Sequence, residues 1–358
     1  MKVYKNLHWS IISPDALFSA WEIFKRDKRN RIDVEEFEKN LERHIFQLHR
    51  DLESGAYRHG PYEGFWINDP TRRRIHKALV RDRVLHHALF RVLNPIFEPT
   101  FIPASFSCRV GKGTHKGFAY LTNALRAVSQ NNTRPCFVLK CDVRKFFDSV
   151  DHTTLRGILE KRILDPDTRN LLREIISSYS TGFNERERER ESKNAERKGV
   201  PIGNLTSQLF ANVYLNELDQ FVKHTLRVKY YARYTDDFVI VSESRKYLYA
   251  LIPQIADFLT NHLHLSLHPD KVFIRKYIQG VDFLGYVSLP HHTQIRTKTK
   301  RRIFRKMRAK AEAFARGDTT EESFKGTLNS YLGALSHADA YRLEEELKNG
   351  VWFWQNGG

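Results

Sequence analysis

Sulfur is scarce in this sequence: three cysteines (Cys108, Cys136, Cys141) and two methionines among 358 residues. An odd cysteine count without a Cys-x-x-Cys pair argues against a disulfide scaffold and a cysteine zinc site, and fits reduced thiols in a cytoplasm. The sixteen histidines form no His-Glu-x-x-His arrangement. No run of about 18 apolar residues occurs, which excludes a transmembrane helix. The opening Met1–Ser10 lacks the unbroken apolar stretch of a signal peptide, so a cytoplasmic location is expected. Internal repeats and Gly/Ser- or Pro-rich linkers are missing too. Hydrophobic residues make up 41% and charged ones 28%, which excludes a disordered chain and allows two or three domains around a sizeable core.

What the chain does have is positive charge. Lys and Arg number 59 against 42 Asp and Glu, a net +17. A protein this basic usually faces a polyanion, most often nucleic acid. The excess is localised: Arg296–Arg316 carries ten basic residues and one acid, whereas Met1–Gly60 carries eleven and ten. A basic run is often only a solvated helix face. Here it interleaves with an apolar stripe, Ile303, Met307, Ala311 and Phe314, which gives one face to a core and the others to a ligand.

Periodicity outlines the elements. The first 55 residues read as helical, with Leu41, Ile45 and Leu48 on one face and Gly55 as a stop. A helix is expected from Ile75 to Leu93, preceded by a turn at Asp69-Pro-Thr and the three arginines Arg72, Arg73 and Arg74. Phe137–Val143 reads as a strand, Leu205–His224 as a helix, and Val228–Tyr234 with Phe238–Ser242 as a hairpin around Thr235-Asp-Asp237. The segment Asn184–Lys198 alternates Glu and Arg and reads as an exposed loop or fraying helix. From about Lys300 the chain is helical again.

Three acids stand out by context. Asp142 ends a strand, and Asp236 and Asp237 lie at a hairpin tip. Crowded carboxylates must be solvated or neutralised. A pair of hard divalent cations does this and suits in-line attack at phosphorus. An isolated Asp-Asp in a turn is usually just solvated; the flanking strands and the third strand-end acid raise this one above that.

Tyr234-Thr-Asp-Asp237 matches the Tyr-x-Asp-Asp motif of reverse transcriptases, and other blocks accompany it in order. They are Arg81-Asp-Arg-Val84, Phe106-Ser-Cys-Arg-Val-Gly-Lys-Gly113, Asp142-Val-Arg-Lys-Phe-Phe-Asp148, Gly199-Val-Pro-Ile-Gly-Asn-Leu-Thr-Ser-Gln208, Leu267-His-Pro-Asp-Lys271, Phe283-Leu-Gly-Tyr286 and Ser330-Tyr-Leu-Gly333. Over about residues 60–340 the chain resembles the group II intron-like bacterial reverse transcriptases. That resemblance implies an α+β right-hand polymerase: a helical N-terminal extension (1–60), fingers and palm with antiparallel sheet plus helices (61–290), and a basic helical thumb with a C-terminal tail (291–358). In the palm block most relatives carry Pro-Gln-Gly and Ser-Pro, where this chain has Ile202 and Gln208. This variant resembles the reverse transcriptases of diversity-generating retroelements, which copy a template RNA with errors at adenines and work with a small basic accessory protein that forms a ring.

By the same resemblance, Asp142, Asp236 and Asp237, with the Val143 carbonyl, would hold two Mg²⁺ ions, Mn²⁺ being a possible substitute. Lys271 would protonate the leaving pyrophosphate, and Phe147 would be the steric gate against a 2′-hydroxyl, an ordinary core Phe being the alternative. Arg73, helped by Arg72, Arg74 and Lys77, would grip the triphosphate, since a guanidinium binds phosphate in bidentate fashion. Arg109 would lie near the nucleotide or template, or else form a structural salt bridge. Ile202 and Gln208 would border the nucleotide site. Lys300, Arg301, Arg305 and Arg308 would meet the phosphates of template RNA, primer and cDNA. Gly111-Lys-Gly-Thr114 lacks the spacing of a phosphate loop, so an ATPase is rejected. No maturase or endonuclease extension is expected after the thumb. Two alternatives remain beside an error-prone retroelement enzyme: a related reverse transcriptase of a phage-defence or retron system, and a catalytically idle RNA-binding scaffold.

Overall fold

A computed structural model describes residues 2–69, 72–181 and 197–355. Four helices come first: α1 (His8–Ile12), α2 (Pro14–Phe24), α3 (Ile32–Lys39) and α4 (Leu41–Glu53). Ser13 caps α2 through the Ala16 amide with Pro14 at its first position, the arrangement that best starts a helix. Gly55, at φ +71°, ends the run where the sequence marks a stop. Trp21, Phe24, Ile45 and Leu48 form the buried faces.

The next elements correct one expectation. Arg73–Lys77 is a strand, β2, paired antiparallel with β1 (Glu63–Ile67), and the helix α5 begins only at Val80 and runs to Phe97. Ile75 pairs with Phe65 across this ribbon instead of joining the helical stripe. The helix starts where Asp82, in its first turn, takes the Tyr57 hydroxyl (2.8 Å) and the Gly60 amide (3.0 Å), a buried anchor that fixes the boundary.

After α6 (Thr114–Val128) comes β3 (Phe137–Asp142), then α7 (Phe146–Ser149), α8 (His152–Glu160), α9 (Pro166–Ser177) and α10 (Leu205–Gln220). Asp165 caps α9 and also takes the Leu7 and His8 amides, strapping the start of the chain to this layer. The hairpin β4 (Tyr230–Tyr234) and β5 (Asp237–Ser242), the helix α11 (Arg245–Leu263) and β6 (Phe273–Lys276) follow. These strands form an antiparallel sheet in the order β4-β5-β3-β6. α10 is buried nearly all round, as a central helix must be. A small sheet of β7 (Val281–Phe283), β8 (Tyr286–Ser288) and β9 (Thr293–Ile295) leads to three last helices, α12 (Thr297–Ala315), α13 (Glu321–Leu335) and α14 (Tyr341–Gln355). Ile303, Met307 and Ala311 are buried and Phe314 stacks on Phe324, so the apolar stripe of α12 faces its neighbours.

The fold is thus mixed α+β with antiparallel sheets. Cys108, Cys136 and Cys141 are free thiols. Among the described residues no helix is long and apolar enough to cross a membrane. The Glu/Arg-rich segment lies outside the described residues except for Arg197 and Lys198.

Candidate active site

The hairpin β4–β5 closes with two residues, Thr235 and Asp236, because Tyr234 pairs directly with Asp237. Such a short turn needs positive φ, and Thr235 supplies it at +55°, a conformation β-branched residues resist. The surroundings enforce it. The buried Arg233 guanidinium donates to the Thr235 carbonyl (3.0 Å), and the Ser107 and Thr235 hydroxyls lie 2.9 Å apart. Arg233 is itself held by Asp219 at 2.7 and 2.8 Å and donates to the Ser105 hydroxyl (3.0 Å), while the Tyr231 hydroxyl donates to Asp219 (2.7 Å). Neither side chain of this ion pair is exposed. A buried pair of this kind is tolerable only with its hydrogen bonds made, which these are. The backbone of Arg233 is bonded on both sides to Ala104 and Phe106, which docks the Phe106–Gly113 block beside the turn.

On the other flank of β5, Asp142 pairs in register with Asp237, and the Val143 amide donates to the Asp236 carbonyl (3.2 Å). Three carboxylates therefore sit on neighbouring backbone positions at one end of the sheet. Burial, reinforced by Asp142 and Asp237, pushes the Asp236 carboxyl up to about 6. Burial also raises Asp237, opposed by Lys140, whose Nζ lies 4.0 Å from its carboxylate. Lys271 Nζ stands 3.1 Å from both Asp142 oxygens. Among the described residues no three acidic, His or Cys side chains are drawn into a ready ligand cage; Lys271 and Lys140 instead face two of the three carboxylates. The donor set still suits a hard cation. It consists only of oxygens, and burial, with neighbouring carboxylates adding to it, raises Asp236 and Asp237 despite two nearby lysines.

Residues expected on the nucleotide side lie near the contact between β2 and the loop before α10. The His76 amide donates to the Ile202 carbonyl (3.0 Å), and the Asn204 side-chain amide donates to the His76 carbonyl (2.9 Å). Gly203, at φ +115°, lets this contact close, since a Cβ there would come within 2.7 Å of Ile75. Ile202 is half-buried at the contact, and Gln208 is exposed on the first turn of α10. Phe147 is half-buried, and its carbonyl accepts from the Val200 amide (2.7 Å), tying the segment that carries it to the one that carries Ile202. Arg73 is exposed at the start of β2.

Several other expected residues carry ion pairs within the protein. Lys77 is ion-paired with Asp33 (2.9 Å) and Glu63 (3.2 Å), so its charge is held within the protein. Arg109 is nearly buried and bonded to Glu98 (2.8 Å) and to the Ile102 and Ser105 carbonyls, the salt bridge that was one of its two alternatives. On α12, Lys300 pairs with Glu346 (3.1 Å) and Arg308 with Glu312 (2.8 Å); Arg301 is exposed, and Arg305 reaches Asp69 (3.5 Å). The Arg233–Asp219–Tyr231 network escaped the sequence reading. Its only signal was an arginine inside the otherwise apolar and aromatic strand Tyr230–Tyr234.

Comparison with known proteins agrees with this arrangement. Residues 68–288 match the reverse transcriptase (RNA-dependent DNA polymerase) family, a span that holds all three acids and Lys271. Protein YkfC of Escherichia coli (strain K12) is 27% identical over 275 residues, covering 67% of this chain and 69% of that protein. The group II intron-encoded protein LtrA of Lactococcus lactis subsp. cremoris is 22% identical over 353 residues, covering 80% of this chain. The chain spans only 57% of that intron-encoded relative. With the family matched over more than half of the chain, in a span that includes a strand-end Asp paired beside an Asp-Asp turn, the chain belongs to the reverse transcriptases, the RNA-directed DNA polymerases.

Proposed function

We propose that this reverse transcriptase serves a diversity-generating retroelement, copying a template RNA into cDNA with errors concentrated at template adenines. The observation that carries the reading is the loop Pro201–Gln208, where Ile202 stands in the contact between β2 and the start of α10. A Gln at this position offers an amide that can hydrogen-bond near the incoming nucleotide. Isoleucine supplies bulk with neither donor nor acceptor. Fidelity is a difference in transition-state binding between right and wrong nucleotides, at about 1.4 kcal/mol per tenfold. Losing an orienting contact of roughly 0.5–1.5 kcal/mol lowers discrimination several-fold to tenfold. A small, basic, oligomeric accessory protein belongs to the same reading.

Within it, Asp142, Asp236 and Asp237, with the Val143 carbonyl, would hold two Mg²⁺ ions, which would supply neutralising charge for the carboxylates and nucleotide phosphates and Lewis acidity toward the attacking hydroxyl. Lys271 keeps a proton at Nζ for the leaving pyrophosphate. Arg73 meets the triphosphate, Gln208 borders the nucleotide site, and the Phe147 ring limits room at the sugar 2′ position. The test is to sequence cDNA made by the wild type and by Ile202→Gln on one adenine-rich template. The wild type should misincorporate chiefly opposite adenine, and Ile202→Gln should lower that error several-fold while leaving correct incorporation largely intact. Equal error spectra at equal activity would overturn the reading.

A further inference from the structure

The ten basic residues of the 296–316 segment do not all face the same way. Lys300 and Arg308 are each paired with a glutamate of the C-terminal helices themselves, Glu346 and Glu312. Arg302, Arg305 and Lys306 follow i, i+3, i+4 spacing and so lie along one side of α12. The acid that meets this side comes from a different element. Asp69, in the connection between β1 and β2, lies 2.5 Å from Lys306 Nζ and 3.5 Å from an Arg305 guanidinium nitrogen. Lys306, with Arg302 and Arg305 farther off, holds the Asp69 carboxyl below the usual carboxylate range.

A carboxylate and a phosphodiester present the same feature to these side chains, an oxyanion with accessible lone pairs. Arg305 and Lys306 are 70% and 49% exposed, so the face is open to a larger anion. We infer that Arg302, Arg305 and Lys306 form the face of α12 that binds the phosphates of the template–primer duplex, and that Asp69 occupies this face in the free protein, closing the β1–β2 ribbon onto α12. The inference rests on the reading of α12 as a template–primer surface, and it moves the principal contacts away from Lys300 and Arg308. Exposed ion pairs of this kind hold weakly. A duplex displaces Asp69 because its row of phosphates meets several cations at once and releases its condensed counterions.

The experiment measures binding of a fluorescent RNA-template/DNA-primer duplex by anisotropy across a salt series, alongside primer extension. Asp69→Asn should tighten binding at least threefold at low salt, the gain shrinking as salt rises. The triple variant Arg302→Gln/Arg305→Gln/Lys306→Gln should weaken binding at least tenfold and flatten the slope of log K against log salt by about two to three, at roughly 0.9 per lost phosphate contact. Lys300→Gln/Arg308→Gln should stay within twofold, and adding Asp69→Asn to the triple variant should give no gain. All these residues are exposed or half-exposed, so matching melting curves will identify folded variants. If the wild type binds and extends the duplex but Asp69→Asn binds equally or more weakly, Asp69 does not compete with the duplex, and the inference fails alone. If the two sets of α12 variants weaken binding equally, the assignment of the face fails. If the wild type neither binds nor extends the duplex, the template–primer reading fails with it.

Discussion

The Arg233–Asp219 pair lies beneath the Asp236–Asp237 turn with neither side chain exposed, its guanidinium also engaged by Ser105 and Thr235. The Lys306–Asp69 pair joins the connection of a two-stranded ribbon to α12, with half of the lysine side chain in water. Both join a cation to a carboxylate at about the same distance, yet their energetics differ in kind. In the first, removing one partner strands a charge that water cannot reach, so the arrangement is rigid. In the second, water and salt compete on equal terms, so the contact is replaceable. Charge is buried beneath the Asp236–Asp237 turn and exposed where the ribbon meets α12.

The largest expected effect tests which residues react and which only support. Asp236→Ala should reduce primer extension to background while leaving the melting temperature unchanged or slightly higher, because it relieves a buried acid crowded by Asp142 and Asp237. Residual extension near the wild-type rate would remove Asp236 from the chemistry. Next in size is Asp219→Ala, which leaves Arg233 buried without its partner and should cost about 3–5 kcal/mol in urea unfolding. A loss below about 1 kcal/mol would erase the contrast between the two pairs. The smallest effect belongs to the solvent-exposed Arg308–Glu312 pair, where Glu312→Ala should change stability by roughly 0.3–0.5 kcal/mol. A loss comparable to that of Asp219→Ala would show that exposure does not separate them.

The reach of the sequence follows the same division. Asp142 and the Asp236–Asp237 pair were legible because alternating β-branched and aromatic residues flank them at hairpin spacing, and the structure pairs Asp142 with Asp237 in register. The apolar stripe of α12 was legible because its period is that of a helix. The switch from strand to helix near Lys77 was not. Ile75, Ala78 and Leu79 fit a helical stripe, and only the pairing with Phe65 and the burial of Asp82 decide otherwise. The fates of Lys77 and Arg109 were hidden for a related reason: Asp33 and Glu98, which claim them, lie on other elements. Arg233 was missed because a lone arginine in a strand does not reveal that Asp219, on the preceding helix, faces it.

Gly203 makes a different kind of contribution, as a spacer of zero length. Ile75 rests almost against its bare Cα, and His76 is pinned to Ile202 and Asn204 on either side of that point. Any larger residue would act as a wedge at the root of the ribbon. Because β1 and β2 are paired along their whole length, a displacement at the root tilts the ribbon as a unit. The loop beyond Ile67 sits at the long end of that lever, and Gly203 at the fulcrum. The seating of the ribbon that carries Asp69 therefore depends on the absence of a single carbon atom at Gly203.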